Sequence, residues 1–381
     1  MQPVSTTRSA PLSESSFVQT IRSLPATVWA LLTRFGQTSP FMIRLRHWEY
    51  WPFEVVYFPI FMFHLWQSIK ARSLFYFSAS NPSIETGGLF GESKAGILAG
   101  ISDVYMPITQ FVPASTDPET VFYLMQERGF SFPVIAKPNV GERGWRVEKI
   151  ESREALTNYI ANTPIDFLIQ EYVDEPLELG VFYYRMPGQA KGVVSSVVQK
   201  EFLTIRGNGY DCIENLIRQN ERAILQLPVL IRKYGHRFHD IPAAGETITL
   251  ESIGNHCRGT KFLNANHLIT PELTQVFDRI SQPIDGFYFG RYDLRCRSVA
   301  DLYAGNHIRI LELNGAGAEP AHIYQPGFSL REGYRVLFHH WRVLYQISRE
   351  NHRRGIPYMT FRQAFRLWKH TQQGRNGSGQ P

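Results

Sequence analysis

The chain is poor in cysteine. Its 381 residues include three cysteines, Cys212, Cys257 and Cys296, and none of them forms a Cys-x-x-Cys pair. This number and spacing argue against a disulfide framework and against a thiolate zinc site, and a reducing cytoplasm fits them best. None of the 12 histidines lies in a His-Glu-x-x-His or comparable zinc-site context, and no Gly-x-Ser-x-Gly nucleophile motif is present.

Long apolar runs are also missing. The first 16 residues are polar and rich in Ser and Thr, unlike a secretory signal. The best membrane candidate, Trp51 to Trp66, is only 16 residues long and contains Glu54, Pro59 and His64, which argues against a spanning helix. Two interpretations stay open: a buried helix or strand pair, which short apolar runs favour, and an interfacial segment within residues 51–77 whose aromatic rings lie at the lipid headgroups.

Negative charge is in deficit. The formal net charge is +6 and the isoelectric point is near 9.1, which suits a polyphosphate nucleotide, an anionic membrane or nucleic acid. The C-terminal arginines, such as Arg353 and Arg362, lie in a helical region without a reader motif, so no nucleic-acid partner is predicted. The same basic region, near Trp341 and Trp368, could help the aromatic segment dock on the inner face of a membrane.

The order of predicted elements indicates an α+β protein of several units. A polar tail and short helix (1–40) precede an aromatic-rich region (41–106), and from residue 107 strand-like and helix-like segments alternate up to residue 326. Helices are expected near 152–162 and 212–225, and a loop over 298–306. An apolar stripe at helical spacing predicts C-terminal helices (327–370), and a disordered tail follows (371–381).

Two late strands carry polar residues in otherwise apolar surroundings. Residues i and i+2 of a strand point to the same face. Arg291 and Asp293 therefore share one face of their strand, and Glu312 and Asn314 share one face of theirs. Three oxygen donors suit Mg²⁺, which takes carboxylates, phosphate oxygens and waters, and the arginine adds a fixed cation. A surface hairpin with solvated charges is the alternative, and the apolar residues around these four weaken it.

These strands, GRYDLR and then ILELNGAGAEP, resemble the closing strands of the ATP-grasp superfamily. Upstream, VIAKPNVGERGWRV resembles the lysine strand and glycine loop of that family, IQEYVDEPLELGVF its hinge, and GLFGESK the segment before the first strand. The resemblance implies two α+β subdomains that grip ATP with Mg²⁺ or Mn²⁺, two ions being expected. The implied nucleotide-binding residues are Lys94, Lys137, Gly141, Gly144, Glu171, Tyr172, Val173 and Glu178, with Asp293, Glu312 and Asn314 as metal ligands and Arg291 as a catalytic residue.

Two further segments, RGNGYDCIENLI (206–217) and IPAAGETITLESIGNHCRGTKF (241–262), resemble amino-acid ligases of this superfamily, in particular cyanophycin synthetase and the D-alanine–D-alanine ligase group. The resemblance implies that Asn255, Arg258 and Lys261 lie near the phosphates, where the two cations would act in catalysis. It departs from the D-alanine ligases at Gly87-Gly88, which lacks their first-substrate loop, and after Asn314, where Gly-Ala-Gly-Ala replaces Ser-Pro-Gly.

The expected activity is therefore an ATP-dependent carboxylate–amine ligase that acts through an acyl-phosphate on a small-molecule carboxylate and an amine. An ATP-grasp kinase needs the same nucleotide site with a hydroxyl acceptor. A membrane-associated nucleotide-binding scaffold would keep the fold without catalysis. The sequence names neither substrate.

Overall fold

The structure is a computed structural model of the chain, and it describes residues 39–141, 144–367 and 369. The helix and most of the tail predicted within residues 1–40 lie outside the described residues, as do Trp368 and the tail at 371–381. The described residues combine α-helices with antiparallel sheets, so the predicted α+β class is confirmed. The unit boundaries stay predictions.

Helices and strands alternate along most of the described chain. The helices are α1 (Pro40–Arg46), α2 (Phe53–Ala71), α3 (Lys94–Leu98), α4 (Pro118–Glu127), α5 (Arg153–Ala161), α6 (Ile213–Gln219), α7 (Glu221–Leu225), α8 (Leu227–Tyr234), α9 (Pro271–Ser281), α10 (Val299–Ala304) and α11 (Leu330–Arg353). The strands are β1 (Thr109–Val112), β2 (Val134–Pro138), β3 (Glu148–Ile150), β4 (Phe167–Glu171), β5 (Leu177–Tyr184), β6 (Val193–Glu201), β7 (Leu203–Arg206), β8 (Thr247–Glu251), β9 (Lys261–Asn264), β10 (Phe289–Cys296) and β11 (Ile308–Asn314). Residues 361–367 are also helical.

The small sheet has four antiparallel strands in the order β1-β4-β2-β3. Helices α4 and α5 cover it, because Val121 and Leu156 pack with strand residues such as Ala136 and Ile169 in one apolar cluster. Each helix begins at a side-chain cap, Asp117 for α4 and Ser152 for α5. The helix predicted near 152–162 is confirmed.

The large sheet has five antiparallel strands in the order β11-β10-β5-β6-β9, and its two faces differ. Alternate residues such as Val181, Tyr292 and Leu294 point to one face, where they pack with Phe277 of α9 in the largest apolar cluster. The opposite face packs under α11 at its Phe289 end. Beyond that end, the opposite face carries charged residues, and the candidate site lies there.

The remaining elements surround this sheet. Strands β7 and β8 form a two-stranded sheet that shares an apolar cluster with α6, α7 and α8. The helix expected over 212–225 is divided at Asn220, whose side chain caps α7. Helix α2 packs on α11 through Ile60 and Leu337. Among the described residues, no helix has the length and apolar content that a membrane span requires.

One element was predicted wrongly. Residues 298–306 were expected to form a loop, but Val299–Ala304 form α10. The Ser298 side chain accepts a hydrogen bond from the Asp301 amide at the start, and Gly305, with φ 75°, ends the helix. These caps stabilise a helix too short to show an apolar period.

Candidate active site

The four residues singled out on the last two strands come together. Strands β10 and β11 pair with Arg291 opposite Asn314 and Asp293 opposite Glu312. Directly opposed residues of an antiparallel pair share a face, so all four side chains lie on the charged face of the large sheet. The predicted pairing of faces is confirmed by this register.

Asp293 is the centre of the group. Its carboxylate accepts two hydrogen bonds from Arg291, both at 3.0 Å, and one from Asn314 Nδ2 at 3.2 Å. Lys200 Nζ lies 3.7 Å from Asp293 Oδ1. Burial opposes ionisation, but the charges of Arg291 and Lys200 and their hydrogen bonds hold the pKa of Asp293 below its usual value. Asp293 is therefore an anion at neutral pH.

Glu178 lies beside this group, between two cations. Its Oε1 is 3.2 Å from Lys200 Nζ and its Oε2 accepts from Arg295 Nε at 2.9 Å. All three side chains are buried. Burial lowers the pKa of Lys200, yet Asp293 and Glu178 together raise it above its ordinary value. Both carboxylate oxygens of Glu178 thus have partners, and its contact with a ribose stays a prediction.

Two glycines leave room for these carboxylates. A Cβ at Gly180 would lie 3.0 Å from Asp293 Oδ1, and one at Gly254 would lie 1.8 Å from Glu178 Oε1. A side chain at either position would displace a buried ion pair. The close packing of Gly254 also brings the segment before β9 onto the charged face.

Lys137 connects the small sheet to the large one. It lies buried on β2, and its Nζ donates to Gln170 Oε1 and to the Leu311 carbonyl of β11, both at 2.9 Å. Both acceptors are neutral, so these contacts leave the positive charge uncompensated. Burial lowers the pKa of Lys137 to about 8, with Lys94 adding to that effect and Glu312 opposing it.

Lys94 reaches the same strand at the next residue, Glu312. Its Nζ lies 3.8 Å from Glu312 Oε1 and donates to the Gly141 carbonyl at 2.6 Å. The backbone of Lys94 also donates to the Asn139 carbonyl, which fixes α3 against the glycine loop. Lys94 and Lys137 therefore both lie beside β11, and their contact with phosphates stays a prediction.

The glycine loop meets the segment 255–258. Arg258 Nη2 donates to the Gly144 carbonyl at 2.7 Å, and a Cβ at Gly144 would lie 2.9 Å from the side chain of Asn255. The φ of Gly144 is 72°, which a side chain rarely adopts. Residues 142 and 143 lie outside the described residues. Arg258 is thus placed at the loop predicted to cover the phosphates.

Lys261 does not join this group. Strand β9 pairs Lys261 with Glu201, and their side chains are 2.5 Å apart. Lys200 and Glu201 are consecutive on β6, so they point to opposite faces, and Lys261 lies on the face away from Asp293. The prediction that Lys261 approaches the phosphates is not supported by this register, because a shift of one residue reverses the face.

The hinge residues Glu171, Tyr172 and Val173 lie at the end of β4 and directly after it. The Glu171 amide donates to the Ile108 carbonyl at 2.8 Å, and the Glu171 carboxylate accepts from the Ile108 amide at 3.1 Å. The ring of Tyr172 lies under Lys149 and Arg295, and the Val173 carbonyl accepts from Arg295 Nη1 at 2.6 Å. Their contact with an adenine stays a prediction.

Cations outnumber anions in this region. We define the charged cluster as the cations Lys94, Lys137, Lys200, Arg291 and Arg295 and the carboxylates Glu178, Asp293 and Glu312. Adding Glu319, whose backbone carbonyl accepts from Arg291 at 3.0 Å, still leaves a positive excess. Buried charges without partners are unfavourable, so the cluster is suited to an anionic ligand.

Lys200 and Arg295 were missed by the sequence analysis. Arg295 had a usable signal, since it follows Asp293 by two residues and therefore shares its face. Lys200 lies near the end of the strand VVSSVVQKE, its partners lie 22 and 93 positions away in the chain, and local spacing does not reveal them.

The donor set offers a magnesium ion a partial site. Among the described residues, no group of three His, Cys, Asp or Glu side chains is arranged to hold a metal. Asp293, Glu312 and Asn314 provide two carboxylates and one amide. Mg²⁺ is commonly held by one or two carboxylates and completed by phosphate oxygens and waters, so this set fits the ion when a nucleotide supplies the rest.

The segment after Asn314 packs on the glycine pair at 87–88. The amides of Ala316 and Gly317 donate to the carbonyls of Gly87 and Gly88 at 2.9 and 2.7 Å. A Cβ at Gly88 would lie 2.7 Å from the Cα of Gly315, so the two segments can approach this closely only because both residues are glycines. Beyond them, the Glu319 carboxylate accepts from the hydroxyls of Tyr57 and Tyr324.

No protein-family model matches this chain. No curated protein matches it either. Among solved structures, it is similar to the D-alanine–D-alanine ligase of Bacillus anthracis, with a TM-score of 0.40, 11% identity and 70% of each chain covered. It is also similar to the bifunctional glutathione synthetase of Pasteurella multocida (TM-score 0.34, 13% identity, 64% of this chain covered) and to the ATP-grasp ligase PsnB complexed with minimal precursor (0.32, 16%, 60%).

The chain spans 35% of the length of that glutathione synthetase and 52% of the length of PsnB. PsnB is described as a member of the family that the motifs resemble. TM-scores and identities this low carry no conclusion about activity, which has to come from the residues of the site.

Proposed function

We propose that this chain is an ATP-grasp enzyme that joins a carboxylate to an amine at the expense of ATP. The observation that carries the proposal is the convergence of Lys94 and Lys137 on β11, next to the paired Arg291–Asp293 and Glu312–Asn314. The motif order along the chain supports the same assignment. The excess of cations is what a triphosphate requires.

The proposed reaction has two steps. A carboxylate oxygen of the first substrate attacks the γ-phosphorus of ATP, the bond to the bridging oxygen breaks, and ADP leaves with the electron pair. The amine of the second substrate then attacks the acyl carbon of the acyl-phosphate, loses a proton, and displaces inorganic phosphate. Holding the reactants side by side removes much of the entropic barrier to this sequence.

The residues of the cluster have separate roles in this scheme. Lys94 and Lys137 hold the phosphates beside β11, and Arg258 orders the glycine loop through Gly144. Arg291, fixed by Asp293, faces the transferring phosphoryl group and offsets the charge that develops on it. Asp293, Glu312 and Asn314 would hold Mg²⁺ or Mn²⁺, which when bound would neutralise phosphate charge.

Product analysis tests the proposal. Purified chain with ATP and Mg²⁺ is offered panels of carboxylic acids and amines, singly and together, and ADP release is recorded. A ligase requires both substrates and yields an amide plus free phosphate. Release of ADP with a hydroxyl compound alone, and a phosphorylated product, would establish the kinase instead. If ATP raises the melting temperature but no substrate combination releases ADP, the non-catalytic nucleotide-binding scaffold is favoured, and if ATP does not raise it at all, the nucleotide site itself is refuted.

The pH dependence of ATP use should follow Lys137. Its pKa of about 8 means that the ammonium is charged below that pH and loses its charge as the pH rises through it. We expect kcat/KM for ATP to fall about tenfold per pH unit above the pKa of the free enzyme. The measurement is a pH–rate profile between pH 6 and about 9.5, a range that brackets this pKa.

Lys137→Arg and Lys137→Met are the matched variants for that profile. The guanidinium stays charged over the whole range, so the arginine variant should lose the alkaline decline even if its absolute rate is reduced. The methionine variant should have a low rate at every pH. An unchanged alkaline decline in the arginine variant would assign the decline to another group.

A further inference from the structure

Helix α2 is apolar on its inward side, at Val56 and Ile60, and also on its outward side. Its outward stripe consists of large apolar side chains at spacings of three and four residues. Their exposed fractions are 55% for Val55, 62% for Phe58, 42% for Met62, 50% for Trp66 and 77% for Ile69. A surface helix normally turns such a stripe towards the core.

The inward side of α2 combines buried apolar residues with buried polar ones towards its C-terminal end. Tyr76 donates to Gln67 Oε1 at 2.7 Å, and Gln67 Nε2 donates to the Trp341 carbonyl of α11 at 3.3 Å. His64 Nδ1 lies 3.3 Å from the Tyr76 hydroxyl, and Ser68 donates back to the His64 carbonyl. Rotating the helix to bury its apolar stripe would break these buried contacts, so the outward orientation is fixed.

The exposed stripe is long, and a second exposed apolar segment packs on the chain that follows α2. From residue 55 to residue 69 it extends about 21 Å at 1.5 Å per residue. The ring of Phe75, just after α2, packs edge-on against Phe361 with the two ring centroids 5.0 Å apart. Phe361 and Phe365 are themselves exposed. An exposed apolar surface of this extent on a folded chain marks an interaction site.

The charge around the stripe has one sign. Lys70 lies 4.1 Å from the centroid of the Trp66 ring, and Arg72 follows at the end of α2. The sequence has no Asp or Glu between residues 55 and 84, and none after Glu350, whereas Arg362 and Arg366 accompany the exposed phenylalanines. A partner for this surface therefore has to be apolar and negatively charged at its edge.

We propose that the outward face of α2, together with residues 361–366, docks on the surface of an anionic lipid bilayer. The helix lies in the plane of the interface, with its Phe, Met, Trp and Ile side chains among the acyl chains and its basic residues at the lipid phosphates. A second copy of the chain fits less well, because its own basic rim would face the same charges. Residues 1–38 contain three arginines and one glutamate, so they do not supply the missing negative charge.

The test is flotation of the full chain with vesicles. Wild-type protein should float with vesicles of phosphatidylcholine and about 30% phosphatidylserine, less with phosphatidylcholine alone, and less at high salt. The double variant Phe58→Glu/Trp66→Glu should lower the partition coefficient at least about tenfold, because it replaces two rings that insert into the bilayer with two charges. Lys70→Glu/Arg72→Glu should remove the preference for anionic lipid.

Tyr210→Glu is the control, since Tyr210 is 74% exposed on a different part of the surface and should leave binding unchanged. Melting curves with and without ATP show that each variant is folded, and they separate this proposal from the ligase assignment. The docking proposal is overturned if folded wild type does not float, if Tyr210→Glu lowers binding equally, or if the stripe variants only convert a dimer to a monomer in sedimentation.

Discussion

Replacing Asp293 with asparagine is expected to lower ATP turnover by about 10²–10³-fold while the protein stays folded. The amide keeps the shape of the side chain but removes the negative charge that fixes Arg291 and, in the proposed site, holds a metal ion. Burial of Asp293 beside Arg291 and Lys200 makes that charge the shared partner of both cations. ADP release with saturating ATP measures the effect.

Glu201→Gln is the matched control for this variant. Glu201 neighbours Lys200 in sequence and forms its own ion pair with Lys261, on the opposite face of the same sheet. Its neutralisation should change turnover by less than about twofold, since an exposed pair contributes little. Full ADP release by folded Asp293→Asn protein would refute the assignment of the active site to β10 and β11.

Replacing Glu178 with alanine is expected to lower the free energy of unfolding by about 3–5 kcal/mol. Its carboxylate lies between Lys200 and Arg295, and all three side chains are buried. Removing it leaves two buried cations without this partner. Lys200 then keeps only its ion pair with Asp293, and Arg295 keeps its hydrogen bond to the Val173 carbonyl. Urea unfolding with a constant m-value is the measurement.

Two further variants serve as controls for the Glu178→Ala measurement. Glu214→Ala removes an exposed pair with Arg218 one helical turn away and should cost about 0.5 kcal/mol or less. Glu178→Gln keeps the packing and isolates the charge. If Glu178→Gln raises the KM for ATP while its stability is close to wild type, the predicted contact with the ribose is supported beside the structural role.

The sequence was informative where the chemistry depends on neighbours in the chain. Arg291 and Asp293 are two residues apart, as are Glu312 and Asn314, so the period of a strand was enough to put each pair on one face. The order of lysine strand, hinge and closing strands added the long-range relation between them. The four-stranded and five-stranded sheets fit the predicted division into two α+β units.

The sequence was insufficient where the face on which a side chain lies depends on the register between distant strands. Lys200 and Lys261 are both lysines near strand ends, yet the pairing of β6 with β9 puts them on opposite faces. The aromatic segment posed a similar problem. Its composition favoured burial, and the buried contacts of Ile60 and Gln67 with neighbouring elements show which side of the helix faces inwards.

The two faces of β10 also separate the kinds of damage that a mutation can do. Tyr292 and Leu294 pack in the apolar cluster on α9, so changes there should reduce the amount of folded protein. Arg291 and Asp293, their immediate neighbours, lie on the charged face, where isosteric changes alter catalysis and leave the apolar cluster intact. In a saturation library over residues 291–294, positions 292 and 294 should therefore show abundance defects. At 291 and 293, isosteric changes should reduce activity alone, whereas changes that leave a buried charge unpaired should reduce abundance as well. Because isosteric changes on the charged face leave the apolar cluster intact, mutation can alter the chemistry of the site with little loss of folded protein.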